Sequence, residues 1–139
     1  DVRRTDLPVL PVAPVGTHTR SLPAGDVHIL WVDDYWDGPV AGVAEWNGKR
    51  VWFELIDRNL LGAEDENTQR KYFLISLSEK QLAEEERWHD LFCAHVGTHF
   101  DYTGRSDTPT GQTHLFYGPY ENRSEPDLSQ NEILGTVEL

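Results

Sequence analysis

The stretch Gly42-Val-Ala-Glu-Trp46-Asn47-Gly48-Lys-Arg-Val-Trp52-Phe-Glu-Leu-Ile56 contains two β-type runs joined by Asn-Gly. Asn and Gly tolerate the positive φ angles of a type I′ turn, whose twist matches that of the flanking strands, so the pattern predicts a two-residue β-hairpin. The turn fixes the register of the hairpin: Trp46 pairs with Lys49, Glu45 with Arg50, Ala44 with Val51 and Val43 with Trp52. It also places four side chains on one face of the sheet: Ala44, Trp46, Val51 and Phe53.

Further β-type runs lie on both sides of the hairpin. Residues 27–32 and 71–77 flank the hairpin runs at 41–46 and 49–56, and residues 133–139 form a last run. Turn-forming residues separate these runs, which favours an antiparallel sheet.

One long helix is predicted over residues 79–96. Ser78-Glu-Lys-Gln81 is a capping-box pattern, and Gly97 can adopt the left-handed conformation of a helix C-cap. Apolar residues at helical spacing predict the buried stripe: Leu82, Trp88, Leu91, Phe92 and Val96. Three charged residues are assigned to the exposed side: Glu84, Glu85 and Arg87. The expected partners of the stripe on the sheet are Phe53 and either Ile75 or Leu74.

The sequence therefore predicts a single α+β domain over residues 26–139, with an antiparallel sheet of about four to six strands and one long helix packed across one face. Within the Gly- and Pro-rich region 97–131, a short extended piece is predicted at His114-Leu-Phe-Tyr117. Residues 1–25 carry proline at every third position from Pro8 to Pro14, which is typical of an extended polyproline II arm. Such an arm is expected to lie along its own domain or on a second copy of the chain, as part of a homo-oligomer.

The chain of 139 residues has 24 acidic against 12 basic residues and a net charge of −12. Such a surface repels nucleic acids and anionic membranes and attracts basic partners. No apolar run approaches the ~20 residues that a membrane-spanning helix needs. The single Cys93 rules out an internal disulfide, which favours a reducing compartment and predicts a cytoplasmic protein.

These features predict an acidic, non-enzymatic module of the immunity, inhibitor or adaptor kind that docks on a basic partner protein. The sequence has no Gly-x-Ser-x-Gly nucleophile elbow and no phosphate-binding Gly-rich loop, and no cofactor is predicted. The ring of Trp36 is the expected anchor of the interface, because it belongs to a Gly-Pro turn where a large ring is hard to bury. Acidic residues in the densest clusters complete the predicted binding surface: Asp33, Asp34, Asp37, Glu84, Glu85 and Asp90.

A small metal-dependent enzyme or ligand-binding domain is the alternative hypothesis. His89 and Cys93 are four residues apart on the predicted helix, and with His95 or His99 they offer donor types that zinc prefers, although their spacing matches no zinc signature. The candidate metal ligands of this alternative are His89, Cys93, His99 and Asp101. Its pocket would be lined by Trp36, Trp46 or Trp52 together with His99, Asp101 and His114.

Two further patterns bear on metal binding. Glu86-Arg-Trp-His89 has the Glu-x-x-His spacing of di-metal bundle proteins, but such sites need two of these motifs and the chain has one. Val15-Gly-Thr-His18 recurs as Val96-Gly-Thr-His99, and folding could bring the two imidazoles together beside Asp101.

Overall fold

The computed structural model describes residues 20–56, 70–111, 113–123 and 126–139. This part of the chain forms a five-stranded antiparallel sheet whose strand order follows the order of the chain. The strands are β1 (Val27–Tyr35), β2 (Pro39–Trp46), β3 (Lys49–Leu55), β4 (Lys71–Ile75) and β5 (Ile133–Glu138). The helices are α1 (Glu79–His95) and α2 (Thr113–Glu121). The predicted α+β class, with an antiparallel sheet and one long helix, is confirmed.

The β2–β3 hairpin has the predicted register. Its four predicted cross-strand pairs all form, from Trp46 with Lys49 to Val43 with Trp52. Asn47 and Gly48 have φ angles of 54° and 75°, as the turn requires. The local signal at Asn-Gly is therefore sufficient to define this part of the sheet.

The sheet is buried on both faces. An inner cluster contains the residues that the hairpin pattern placed together, with neighbours from every strand: Val27, Val32, Val40, Ala44, Val51, Phe53, Leu55, Tyr72, Leu74 and Val137. Trp46 packs against this cluster. A helix-side cluster occupies the opposite face: Trp31, Ala41, Val43, Trp52, Ile75 and Leu128. Leu82 of α1 packs against it, so α1 covers this second face.

Residues 20–22, just before β1, pair with β5 at the opposite edge of the sheet. Ser21 forms a parallel bridge with Thr136 of β5, and the amide of Leu22 donates to the Thr136 carbonyl over 2.7 Å. We call this junction of residues 20–22 with β5 the seam. It comes from the end of the predicted arm, whose residues 1–19 lie outside the described part of the chain.

The other edge of β1 is covered by the loop that follows α1. The amide of Val32 donates to the Phe100 carbonyl, and the amide of Tyr102 donates to the Leu30 carbonyl, at 3.0 and 2.8 Å. Trp31 and Asp101 face each other as an antiparallel bridge. This backbone pairing holds Asp101 at a fixed place beside the helix-side face of the sheet.

Helix α1 begins and ends close to the predicted bounds, but its buried face matches the predicted stripe only in part. The buried residues are Glu85, His89, Phe92 and Cys93, and Trp88 and Leu91 are only half-buried. The assignment of Glu85 to the exposed side is therefore wrong. Phe53 and Leu74, two of the expected partners of the helix, belong to the inner cluster, whereas Ile75 lies on the helix side. The predicted stripe is confirmed at Phe92, and it misses Glu85 and His89 because hydrophobic spacing does not reveal buried polar residues.

The extended piece predicted at His114–Tyr117 is helical, because it belongs to α2. Phe116 and Tyr120 of α2 make ring contacts with Trp88 and Phe92 of α1, with centroids 5.6 to 6.4 Å apart. These tertiary contacts outweigh the strand preference of the aromatic residues. Neither helix in the described part of the chain has the length and apolar character to span a bilayer.

Candidate functional site

Three polar side chains converge beneath α1. Nε2 of His89 lies 2.7 Å from Oδ2 of Asp101 and 3.4 Å from Sγ of Cys93. All three potential ligand atoms lie within 4.8 Å of one another. The side chains of His89 and Asp101 are 5% and 1% exposed, and Cys93 is fully buried. We call this group the His-Cys-Asp cluster.

Each member of the cluster is held by the fold. His89 and Cys93 are four residues apart and therefore lie on one face of α1. The His89 ring stacks on Trp31, with centroids 4.4 Å apart and planes inclined by 6°. Asp101 is fixed by its bridge to Trp31, and its Oδ1 accepts hydrogen bonds from the amide and hydroxyl of Thr103 at 2.8 and 2.6 Å. The cluster is therefore held in place by contacts within the chain.

A cleft of about 420 Å³ opens beside the cluster. Its walls combine two arginines, three carboxylates and three further side chains: Arg50, Arg105, Glu86, Asp90, Asp101, Trp31, His89 and Thr103. Arg50 is paired with Glu86 over 2.7 Å, and Arg105 with Asp90 over 2.6 Å. The indole N–H of the buried Trp31 has no hydrogen-bond partner among the described residues. Most of the residues that line the cleft are therefore charged.

Burial decides the protonation of Cys93. It raises the pKa of the thiol to about 11, so without another partner the side chain is neutral at physiological pH. Burial also acts to raise the pKa of Asp101, but the hydrogen bonds from Thr103 and His89 outweigh it and hold that pKa below its usual value. The cluster therefore contains a carboxylate and a thiol.

The geometry of the cluster differs from that of a catalytic Cys-His-Asp triad. In a Cys-His-Asp relay, the thiol and the carboxylate contact opposite nitrogens of the imidazole. Here Cys93 and Asp101 approach the same atom, Nε2 of His89. The geometry therefore does not place a base beside an activated thiolate.

Of the four candidate metal ligands, the structure brings together His89, Cys93 and Asp101. His99 is exposed and lies outside the cluster, with its ring 4.4 Å from that of Phe100. His95, the other candidate, has Nδ1 3.0 Å from the hydroxyl of Thr110. His18 lies outside the described residues. In the Glu-x-x-His motif, Glu86 is engaged by Arg50.

The pocket that the sequence suggested does not assemble from the expected tryptophans. Trp52 is buried in the helix-side cluster, Trp46 packs against the inner cluster, and Trp36 is exposed. The side chain of His114 lies outside the described part of the structure. The ring that does line the cleft is Trp31, which the sequence showed only as part of a strand.

The predicted docking residues fall into three settings. Asp34 and Tyr35 are the last two residues of β1, and Trp36 and Asp37 begin the turn to β2. Asp34 and Asp37 are exposed beside Trp36, which is 59% exposed. We call residues 34–37 the docking turn. Arg70 fixes its backbone by donating to the carbonyls of Trp36, Asp37 and Pro39 at 2.8, 3.2 and 3.2 Å.

Asp33 and Glu85 are buried in a second polar group. Asp33 accepts hydrogen bonds from Tyr120 and Arg123, each at 3.2 Å, and its side chain is 9% exposed. Glu85 is 3% exposed and hydrogen-bonds to Asp33. Burial and the nearby Asp33 raise the pKa of Glu85 to about 8. These two carboxyl groups therefore tie α1 to β1 and are not displayed on the surface.

Glu84 and Asp90 lie on the exposed side of α1 and are paired with arginines. Glu84 accepts from Arg87 over 2.8 Å, and Asp90 accepts from Arg105 over 2.6 Å. The carboxylates of these two residues are therefore partly neutralised.

The site residues that sequence reasoning missed are Trp31, Arg50, Thr103 and Arg105. Thr103 follows Asp101 by two residues, a spacing typical of local side-chain turns, and this signal could have paired them. Trp31 and Arg50 reach the cleft through the pairing of distant segments, for which a single sequence holds no direct signal. Comparison of the chain with protein-family models, curated proteins and solved structures finds no match.

Proposed function

We propose that this chain is an acidic, non-enzymatic protein-binding module of the immunity, inhibitor or adaptor kind that docks on a basic partner through its docking turn. The observation that carries the proposal is Trp36, whose side chain is 59% exposed at the tip of a fixed turn. Tyr35 beside it is 48% exposed. Large aromatic rings on a protein surface are the residues most often found as anchors of interfaces.

The rigidity of the turn supports this role. Arg70 donates to three carbonyls of the turn region, and the amide of Trp36 donates to the carbonyl of Gly38 over 2.9 Å. Asp37 and Gly38 adopt positive φ angles of 52° and 135°, which give the turn its shape. A backbone that is already held in place loses little conformational entropy on binding, so more of the contact energy appears as affinity.

Charge supplies the second support. Asp34 and Asp37 flank Trp36, and the chain as a whole carries a net charge of −12. Such a field speeds the encounter with a basic surface and disfavours acidic partners. Cys93 forms no disulfide within the chain, which suits a reducing compartment, and we therefore propose that this interaction takes place in the cytoplasm.

A binding experiment with the native partner tests the anchor. The partner is first identified by cross-linking in the source cell, and its affinity is then measured by calorimetry for the wild type and for Trp36→Ala. We expect Trp36→Ala to lose ~2 kcal/mol or more, which is about thirtyfold in Kd. Tyr102→Ala is the matched control, because Tyr102 is 52% exposed and lies outside the docking turn. Equal affinities for the wild type and Trp36→Ala would refute the proposal.

Salt dependence tests the charge. Raising the ionic strength from about 0.05 M to about 0.5 M shortens the screening length severalfold, so the association rate should fall markedly. The double variant Asp34→Asn/Asp37→Asn should associate more slowly at low salt and show a weaker salt dependence. A partner that binds the wild type equally well at both salt concentrations is not held by the acidic surface.

A further inference from the structure

We propose that the His-Cys-Asp cluster is a zinc site, in which Nε2 of His89, Sγ of Cys93 and Oδ2 of Asp101 are the protein ligands and the fourth position faces the cleft. The site is separate from the docking turn and its function does not depend on the docking proposal. Imidazole, thiolate and carboxylate are the three ligand types that zinc takes in proteins. Calcium and magnesium prefer oxygen ligands alone, and the thiol at this site disfavours them.

The potential ligand atoms of the three residues lie close together. Oδ2 of Asp101 and Sγ of Cys93 both approach Nε2 of His89 rather than opposite sides of the ring. This is not the arrangement of a Cys-His-Asp proton relay. It is the arrangement that a single ion requires, because every ligand atom has to point towards one centre.

The distances from Nε2 of His89 to the other two ligand atoms are close to those found around a zinc ion. A tetrahedral zinc ion with bonds of about 2.0 Å to nitrogen and oxygen and about 2.3 Å to sulfur keeps its ligand atoms roughly 3.3 to 3.6 Å apart. The separation of Sγ of Cys93 from Nε2 of His89 is 3.4 Å, within this range. The separation of Nε2 from Oδ2 of Asp101 is 2.7 Å, so the ion needs to part these two atoms by only about half an ångström.

Neighbouring residues hold two of the ligands in a fixed orientation. Thr103 binds Oδ1 of Asp101 through both its amide and its hydroxyl, which leaves Oδ2 turned to the cluster. The stacking of His89 on Trp31 fixes the plane of the imidazole. Such outer contacts orient metal ligands, and their loss typically weakens metal affinity by about 10- to 100-fold.

The cleft gives the ion an entry path and a free position. His89 and Asp101 line the cleft, whereas Cys93 lies fully buried behind them. The fourth ligand of the ion would therefore come from the cleft side, as a water molecule or a small ligand. Three protein ligands and one accessible position distinguish this site from structural zinc sites, which are closed by four protein ligands.

Cobalt substitution tests the site directly. The purified, metal-free protein is titrated with Co²⁺ and followed by absorption spectroscopy, with Zn²⁺ then added in competition. We expect about one Co²⁺ per chain, the intense visible bands of four-coordinate cobalt and a thiolate-to-cobalt charge-transfer band in the near ultraviolet, all removed by Zn²⁺. Cys93 is the only cysteine of the sequence, so the charge-transfer band of the wild type identifies its sulfur without any variant.

Two conservative variants test the other contacts. Asp101→Asn keeps the shape of the side chain, and Thr103→Val removes only an exposed hydroxyl, so neither should prevent folding. Each is expected to weaken Co²⁺ and Zn²⁺ binding by at least about tenfold. His99→Ala is the matched control, because His99 is an exposed histidine close in sequence that lies outside the cluster, and it should bind as the wild type does. Absence of the thiolate band in the wild type at saturating Co²⁺, or unchanged affinity in both conservative variants, would overturn the proposal and leave a purely structural cluster.

Discussion

Glu85 shows how a single residue can change the pH response of the fold. Glu85 is 3% exposed, one of its carboxyl oxygens has no hydrogen-bond partner among the described residues, and burial is the largest cause of its raised pKa. With a pKa of about 8, Glu85 is protonated in the folded protein at neutral pH and can donate to Asp33. In the unfolded chain the same group ionises near pH 4.5.

The free energy of unfolding is therefore expected to fall as the pH rises from about 4.5 to about 8. Over this interval the folded state keeps the proton of Glu85 and the unfolded state releases it, so higher pH favours unfolding. Glu85→Gln removes the titrating group and should flatten this fall in urea denaturation curves. Glu84→Gln, at the exposed neighbouring position, should keep the slope of the wild type. A wild-type slope in Glu85→Gln would show that Glu85 is ionised in the folded state.

Phe92 is the main apolar residue of the α1–α2 interface. It is 6% exposed and its ring contacts those of Phe100, Phe116 and Tyr120. Phe92→Ala should lower the free energy of unfolding by ~3–5 kcal/mol, through lost burial and the cavity left behind. Tyr102→Ala, which removes a largely exposed ring, should change it by less than ~0.5 kcal/mol. Similar unfolding midpoints for the two variants would mean that Phe92 is not in the core.

At the scale of elements, α1 depends on a reciprocal cap. The Ser78 hydroxyl accepts from the Gln81 amide over 3.1 Å, and the Gln81 side chain accepts from the Ser78 amide over 2.9 Å. Ser78→Ala should cost ~1 kcal/mol of stability, because it leaves a helical amide without a partner. Ser78→Asp keeps an acceptor at the cap and should remain close to the wild type in thermal unfolding. If both variants lost the same stability, the cap would not be the cause.

The elements that could be predicted from the sequence are those with local signals. The β2–β3 hairpin is defined by two adjacent residues, Asn47 and Gly48, and the start of α1 by residues three apart. Helix α2 could not be predicted, because Gly118 and Pro119 are poor helix formers and its aromatic residues favour strands. It is helical because its rings pack on α1, and that contact joins distant parts of the chain.

In the candidate site, too, only the contacts between residues close together in the sequence could be predicted. The sequence paired His89 with Cys93, since residues four apart share a helix face. It named Asp101 without locating it, because the position of Asp101 follows from the pairing of its loop with β1, about 70 residues earlier. It placed Trp88 in the buried stripe and Glu85 outside it, because hydrophobic spacing does not reveal polar residues that are buried with partners.

At the scale of the whole molecule, the seam closes the sheet through a position that needs glycine. A Cβ atom at Gly135 would lie 2.8 Å from the side chain of Leu22 and 2.9 Å from the backbone oxygen of Arg20. Gly135→Ala should therefore push the seam apart and cost ~1–3 kcal/mol. The amides of Leu22 and Thr136, both bonded across the seam, should exchange their hydrogens faster. Gly25→Ala is the control, because its Cβ would meet no atom within 4 Å. Unchanged exchange in Gly135→Ala would contradict the tight packing.

The strand order has a consequence for the route by which the chain folds. Strands β1 to β3 are joined by short turns, so this part of the sheet can grow by short loop closures. The pairing of β5 with β4 spans both helices, and the seam spans more of the chain still, since Arg20 and Thr136 are 116 residues apart and their contact carries a high entropy cost of loop closure. We expect the seam to form after the folding transition state, so that substitutions there accelerate unfolding and leave the folding rate unchanged. The seam then sets the unfolding rate, and with it the lifetime of the native state, whereas the hairpins set the folding rate.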